Sequence, residues 1–222
     1  MEELTPETSP IGYAWGSCRL SHWCRAVYGG VAWPGKGPGF VVVLGMAHGQ
    51  RFGSHDVWLL DEAESADTRE LVRRIGVFHD RYEPKAWIGD THDSAGDRFF
   101  RELNEERARP PRNVPPDLAP DRRIYLTRPS LFDAESPYSY FLPELRRLLD
   151  KERRQLYLKN SAVLGYLGDI KPDEMPFMSW GDSPAVEALA LTAIELRSRE
   201  TYRPAPPRRA KRDVLRRRRF RR

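Results

Sequence analysis

The stretch Phe40–Met46 (FVVVLGM) constrains the fold more than any other part of the chain. Its three consecutive valines are stiff at the first side-chain torsion and favour extended backbone. The run is too short for an ordinary helix and apolar throughout, which is the pattern of a strand buried on both faces. Glycine-rich turns flank it, Gly35–Gly39 (GKGPG) before and His48–Ser54 (HGQRFGS) after. Beyond those turns lie two more strand signals, Cys24–Val31 (CRAVYGGV) and Asp56–Asp61 (DVWLLD). Three strands joined by such turns predict an antiparallel meander. The acids that follow, Asp61, Glu62 and Glu64, are expected to form a solvated turn.

The pattern then becomes helical. Leu71, Ile75, Phe78 and Tyr82 recur at three- and four-residue steps behind Thr68, a candidate N-cap, and Pro84 ends the run. Lys85–Gly89 (KAWIG) is a short apolar strand. A meander followed by a helix and a returning strand implies a crossover, so this strand is expected to lie parallel to the first. Phe99, Phe100 and Leu103 mark a short second helix, and 109–121, with five prolines, an extended loop. Ile124–Thr127 is a further strand candidate, Tyr138–Asp150 a helix and Gln155–Leu158 a short strand or helix edge. Ser183 with Pro184 opens a last helix, since proline suits the first helical turn. The sum is a mixed α/β sheet covered on both faces.

Charge divides the chain unevenly. The overall balance is +5, but eleven of the 37 basic residues and one of the 32 acids fall in Arg203–Arg222. That leaves 26 bases against 31 acids in residues 1–202, a net of −5. The basic character therefore belongs to the tail and not to the body. No apolar run approaches the ~18 residues of a membrane span, and the acidic start MEELTPETSP is unlike a secretory signal. Two cysteines make no disulfide framework, and GxxxxGK[ST] is absent, so a cytoplasmic chain without a P-loop of its own is expected. Cys18, His22 and Cys24 lack the second ligand pair that a structural zinc needs. Ser130 and Ser136 have neither a nearby histidine nor a backing carboxylate, so a hydrolase triad has no support.

The stretch Ile88–Leu103 (IGDTHDSAGDRFFREL) is the one most suggestive of chemistry. Asp90 stands at the carboxyl end of a buried strand, where open α/β sheets form their ligand crevice. Two roles are open to it: capping the loop through its own backbone, or holding a metal. His92 and Asp93 either supplement it or are solvated loop residues.

With these elements in order, Arg25–Leu103 resembles the nuclease domain of phage large terminase subunits, which is ribonuclease H-like. In that family the first strand runs GxDPA/G before a glycine-rich turn, and here the stretch is YGGVAWPGKGPGFVVVLGM, Tyr28–Met46. The family's fourth strand runs vvxDxxGxGxxxxxxL, and here it is AWIGDTHDSAGDRFFREL. Its last helix opens HDDxxDAL, and here the stretch is WGDSPAVEALALTAIEL, Trp180–Leu196. The similarity spans Cys24–Leu196.

It implies a metal-dependent endonuclease that uses Mg²⁺ or Mn²⁺ and cuts concatemeric phage DNA during packaging in the host cytoplasm. Its implied partners are DNA and a separate packaging ATPase, small terminase or portal. Two departures accompany the match. The family's first-strand aspartate falls on Ala32, and its acid pair falls on Ser183 and Pro184, with Asp182 one residue early. Asp90 carries over directly, so Asp90 and Asp182 are the expected catalytic and metal-binding carboxylates. A relative of the same fold that binds DNA or a packaging partner without cutting is the competing reading.

The expected organisation is an N-terminal arm over 1–23, a nuclease-type domain over 24–202, and a tail over 203–222. The tail's arginine runs suit phosphate neutralisation, and Phe220 among them suits stacking on a base. Its expected nucleic-acid contacts are Arg208, Arg209, Lys211, Arg212, Arg216, Arg217, Arg218, Arg219, Arg221 and Arg222. Solubilisation, docking on an acidic protein surface and folding back on the acidic body are the other roles such a tail can take.

Overall fold

The architecture comes from a computed structural model, which describes residues 24–47, 56–89, 94–109, 121–128, 137–149, 156–158, 161–171, 173–174, 178–179 and 181–201. The expected arm, the expected tail and the 90–93 loop lie outside these residues. Six strands form one sheet: β1 (Cys24–Ala32), β2 (Gly39–Ala47), β3 (Val57–Ser65), β4 (Ala86–Ile88), β5 (Leu126–Thr127) and β6 (Leu156–Tyr157). The helices are α1 (Thr68–Tyr82), α2 (Ser94–Ala108), α3 (Pro137–Leu149), α4 (Val163–Asp169) and α5 (Pro184–Thr201). The strand order is β5-β4-β1-β2-β3-β6. β1, β2 and β3 are the expected meander, and β4 runs parallel to β1 with Tyr28 opposite Ala86 and Gly30 opposite Ile88. β5 and β6 add parallel strands at the two edges. This is a ribonuclease H-like mixed sheet.

The valine run forms the centre of the sheet. Val41, Val42 and Val43 are fully buried, because helices cover both faces. α1 lies on one face. α5 lies on the other, so close to β1 that a side chain at Gly30 would overlap Thr192, while on the α1 face Trp87 rests directly on Gly29. The Gly29–Gly30 pair thus lets a helix and an indole reach the strand backbone from opposite sides. α5 is buried all round over 184–193, as befits a helix also packed by α3 and α4.

Local details differ from the sequence expectations in ways that have physical reasons. The N-cap of α1 is Asp67, not Thr68, and its carboxylate accepts the Arg69 N–H at 2.9 Å. α2 runs for 15 residues, because its exposed face carries ion pairs such as Arg101–Asp97 that an apolar count overlooks. β5 begins at Leu126 and not Ile124, whose backbone N–H and C=O are both held by the Asn104 side-chain amide at 2.8 Å. α4 is only seven residues long and contains Gly165 and Gly168, so the sequence pattern does not reveal it.

The acids after the third strand do not form a solvated turn; they belong to β3. A bulge at Leu60 shifts the register so that Val43 faces Asp61 while Leu44 faces Leu59. Asp61 then points to the α1 face, where Tyr82 donates its hydroxyl to Oδ2 at 2.8 Å. Glu62 points to the other face and accepts the Ser161 hydroxyl at 2.6 Å and the Ala162 N–H at 2.8 Å, securing the start of α4. Glu64, on that same face, accepts the Tyr166 hydroxyl at 2.8 Å.

Asp61 supplies a test of this packing. Burial is the largest influence on its carboxyl and holds it above the usual carboxylate range, against the opposing pull of Tyr82, the Glu62 N–H and Arg81. A carboxyl whose folded-state value exceeds its unfolded value binds its proton more tightly when folded. The stability it contributes is fully present below the unfolded value, about 3.9, and is lost as pH rises through the folded value. Asp61→Asn keeps an acceptor for Tyr82 and cannot ionise. In denaturant melts the variant should therefore gain on wild type as pH rises from about 4 towards neutrality. A difference independent of pH would contradict the buried, charge-disfavouring setting.

Candidate functional site

β1 and β4 are parallel, so their carboxyl ends open on one edge of the sheet. Ala32 ends β1. It shares the α5 face with Tyr28 and Gly30 and is 7% exposed. Gly89 follows β4, donates its N–H to Thr127 O at 3.1 Å and packs against Val31 so closely that a Cβ there would stand 2.6 Å from the valine side chain. Asp90, His92 and Asp93 come next in the chain and lie outside the described residues.

The start of α5 reaches the same edge. Ser183 is buried before Pro184, and its carbonyl accepts the Glu187 N–H at 3.0 Å, which begins the helix. The preceding turn packs backbone to backbone on the β1–β2 turn. Lys36 donates its N–H to Gly181 O at 3.0 Å, and a Cβ at Gly35 would fall 2.4 Å from that same oxygen. Gly181 has φ +87°, a left-handed conformation that glycine adopts without strain. Glu187, 4% exposed, reaches back to accept the Gly181 N–H at 2.8 Å.

Asp182 is therefore brought to the β1 end, but both of its oxygens are engaged. Oδ2 accepts the Ser179 N–H at 2.7 Å, and Oδ1 lies 2.7 Å from the Lys36 ammonium. Burial raises the affinity of this carboxyl for a proton. The Lys36 contact and the Ser179 N–H together outweigh burial, so its pKa lies below the ordinary value and it is ionised at neutral pH. The Lys36 side chain is largely solvent-exposed at 78%, while its backbone is tied to the site through the Gly181 carbonyl.

The donor set can be weighed against a two-ion hydrolytic centre. Such a centre places two divalent ions about 3.5–4 Å apart between rigid carboxylates. Ala32 offers no ligand, and Asp182 already neutralises a lysine. Among the described residues, no group of three or more His, Cys, Asp or Glu side chains is arranged to hold a metal. The described residues do not by themselves make up a metal centre.

Other candidates fall away from this edge. His79 accepts the Trp87 indole N–H on Nδ1 at 3.2 Å, and burial followed by the charge of Arg107 lowers its pKa, so it is a neutral imidazole in the packing of α1 on β4. Cys24 is a buried thiol whose pKa burial pushes up to about 12, far from a thiolate ligand. The ten basic tail residues, Arg208 to Arg222, lie outside the described residues. The residues that sequence reasoning missed are Lys36 and Glu187. The first sits in a stretch legible only as a glycine-rich turn. The second is a first-turn helix acid whose long-range bond has no local signature.

No protein-family model matches the chain, and the comparison with curated proteins finds no match. Among solved structures, the chain is similar to the large terminase nuclease from thermophilic phage G20c with bound zinc, at 16% identity and a TM-score of 0.48, over 77% of this chain and 81% of that one. It is also similar to the fowlpox virus Holliday junction resolvase, at 11% identity and a TM-score of 0.40, over 78% of this chain and 98% of that one. A third similar structure is T. thermophilus RuvC in complex with Holliday junction substrate, at 14% identity and a TM-score of 0.37, over 80% and 96% of the two chains.

Proposed function

We propose that this chain is a terminase-like ribonuclease H-fold domain that acts on DNA in phage genome packaging, with its divalent-ion-dependent cleavage weakened. The support is positional. The carboxyl ends of β1 and β4 and the start of α5 meet at one edge, which is where the sequence resemblance puts a nuclease site. The single observation that carries the weakening is the Lys36–Asp182 contact of 2.7 Å at the end of a strand that closes with Ala32. A lysine ammonium there already satisfies the carboxylate that a divalent ion would need.

Asp90 and Asp182 are the proposed carboxylates of the site, and Mg²⁺ or Mn²⁺ the proposed ion. With no bridging ligand between them, a cation is held loosely. Mg²⁺ demands near-ideal octahedral geometry and dehydrates reluctantly, so residual cleavage favours Mn²⁺. The same contact favours a second reading, in which the domain binds DNA, or a packaging ATPase, small terminase or portal, without cutting.

One experiment separates these from an ordinary nuclease. The full chain is incubated with supercoiled plasmid and with linear duplex in Mg²⁺ and in Mn²⁺. The expected result is retarded migration of both DNAs, with little nicking in Mg²⁺ and slow, Asp90-dependent nicking in Mn²⁺. Binding with no nicking in either ion selects the second reading. Efficient cleavage in Mg²⁺ that survives Asp90→Asn would overturn the placement of the site.

A further inference from the structure

A second feature lies beside this edge. Between α2 and the 121–128 segment is a cavity of about 210 Å³. Phe100, Ile124 and Leu126 give it an apolar floor, and Asn104, Arg101 and Asp97 line its polar side. Tyr125 lines it too and is 61% exposed, an unusual position for so large an aromatic ring. Pockets for drug-sized molecules run to about 300–1,000 Å³. This one has room for a single planar ring system and not for a whole coenzyme.

Tyr125 stands on a rigid mount. Its hydroxyl donates to Asp121 Oδ2 at 3.2 Å, and the other Asp121 oxygen accepts the Arg123 N–H at 3.0 Å. The preceding residue, Ile124, has both backbone groups clamped by Asn104, and the residue after it pairs with β4. A ring fixed in this way gives up little conformational freedom when something stacks on it. The 121–128 segment is exposed at Arg122, Arg123 and Arg128 against one acid, Asp121, while on the α2 side Asp97 pairs with Arg101. Arg128 directly follows the carboxyl end of β5, on the edge where β1 and β4 end.

The cavity is also coupled to the candidate site. Phe100 on its floor packs edge-to-face on Trp33 at 6.2 Å between ring centres, and Trp33 follows Ala32. One aromatic ring therefore separates the cavity floor from the end of β1.

Resting on the DNA reading above, we propose that this cavity is a subsite for one unpaired nucleobase, stacked on Tyr125, with Arg123 and Arg128 on the flanking phosphates. In a duplex the base faces are covered by their neighbours. An exposed, immobilised aromatic ring with arginines around it is chemistry for a base that has left the stack. The domain then distinguishes DNA with an unpaired nucleotide from uninterrupted duplex, which phosphate contacts from the tail arginines do not.

The test uses the full chain and two labelled DNAs, a duplex and the same duplex with one unpaired 2-aminopurine. Anisotropy titrations give the affinity ratio between them, and 2-aminopurine emission reports stacking. Wild type is expected to favour the interrupted duplex about tenfold and to quench the probe. Tyr125→Ala should abolish the preference and the quenching while leaving affinity for intact duplex unchanged, and Tyr125→Phe should retain both. Equal preference in wild type and Tyr125→Ala, or an unquenched probe, overturns the subsite while leaving the DNA reading standing. Failure to bind either DNA overturns the DNA reading, and this subsite with it.

Discussion

On the proposed nuclease reading, placing an aspartate at Ala32 and removing Lys36 in the same chain is expected to raise DNA cleavage far above that of the unaltered chain. Ala32 lies on the α5 face at the end of β1, the edge to which the turn before α5 brings Asp182. A carboxylate at this position supplies the ligand that the first strand lacks. Ala32→Asp alone should recover little, because Lys36 remains 2.7 Å from Asp182 and competes with the ion for that carboxylate. Lys36→Ala alone should recover little too, because it frees a ligand without adding the bridging one.

The double variant should exceed wild type by at least about 100-fold in Mn²⁺-supported nicking, the scale on which one well-placed transition-state stabiliser acts, and Asp90→Asn should abolish the gain. A second readout is independent of catalysis. A new carboxylate in a nearly buried position costs stability while it lacks a partner, so the double variant should melt lower than wild type without metal and recover on adding Mn²⁺. A folded, DNA-binding double variant that neither cuts nor responds to Mn²⁺ would place the chemistry elsewhere.

Removing Arg203–Arg222 should produce the other large effect. The segment carries eleven basic residues against one acid, and the remaining 202 residues carry a net −5. On duplex DNA each neutralised phosphate contributes about 0.9 to the slope of log affinity against log salt, so several contacts contribute several units. Between 50 and 200 mM salt, a protein making six to ten such contacts loses about 10³–10⁵ in affinity. The full chain should behave in this way, whereas the truncated chain should bind weakly with a shallow slope. An unchanged slope after truncation would assign the phosphate contacts to the body.

The sequence made the frame of the molecule legible wherever a residue pattern has a local cause. Three valines between glycine turns mark β2, proline after an apolar stripe ends α1, and Ser183–Pro184 opens α5. The parallel pairing of β4 with β1 follows from the crossover that a single intervening helix imposes. What stayed hidden depends on contacts between distant parts of the chain. The Leu60 bulge converts an apparent acidic turn into strand, and no residue within β3 announces it. Lys36 resembles any turn cation until α5 folds against it. Asn104 and Ile124 are unremarkable until the amide of one replaces a strand partner for the other. At the candidate site, the position of Asp182 was legible from its place before a helix start, and its lysine partner was not.

The extra residue at Leu60 also bears on how the chain can vary in length. Because side chains alternate along a strand, the bulge determines which acid faces which layer: Asp61 is indexed to Tyr82 of α1, and Glu62 to the Ser161 turn that begins α4. Taking Leu60 into a regular ladder would exchange those two assignments and strand both carboxylates against the wrong helices, whereas deleting Leu60 would close the bulge and leave both in place. A one-residue insertion in β3 that the bulge does not absorb is therefore equivalent to a reversal of the strand's sidedness over its second half. Descendants of this sequence can lengthen or shorten the segments between elements, or lose the bulged residue, while the pairing of Asp61 and Glu62 is held by the two helices that read β3 from opposite sides.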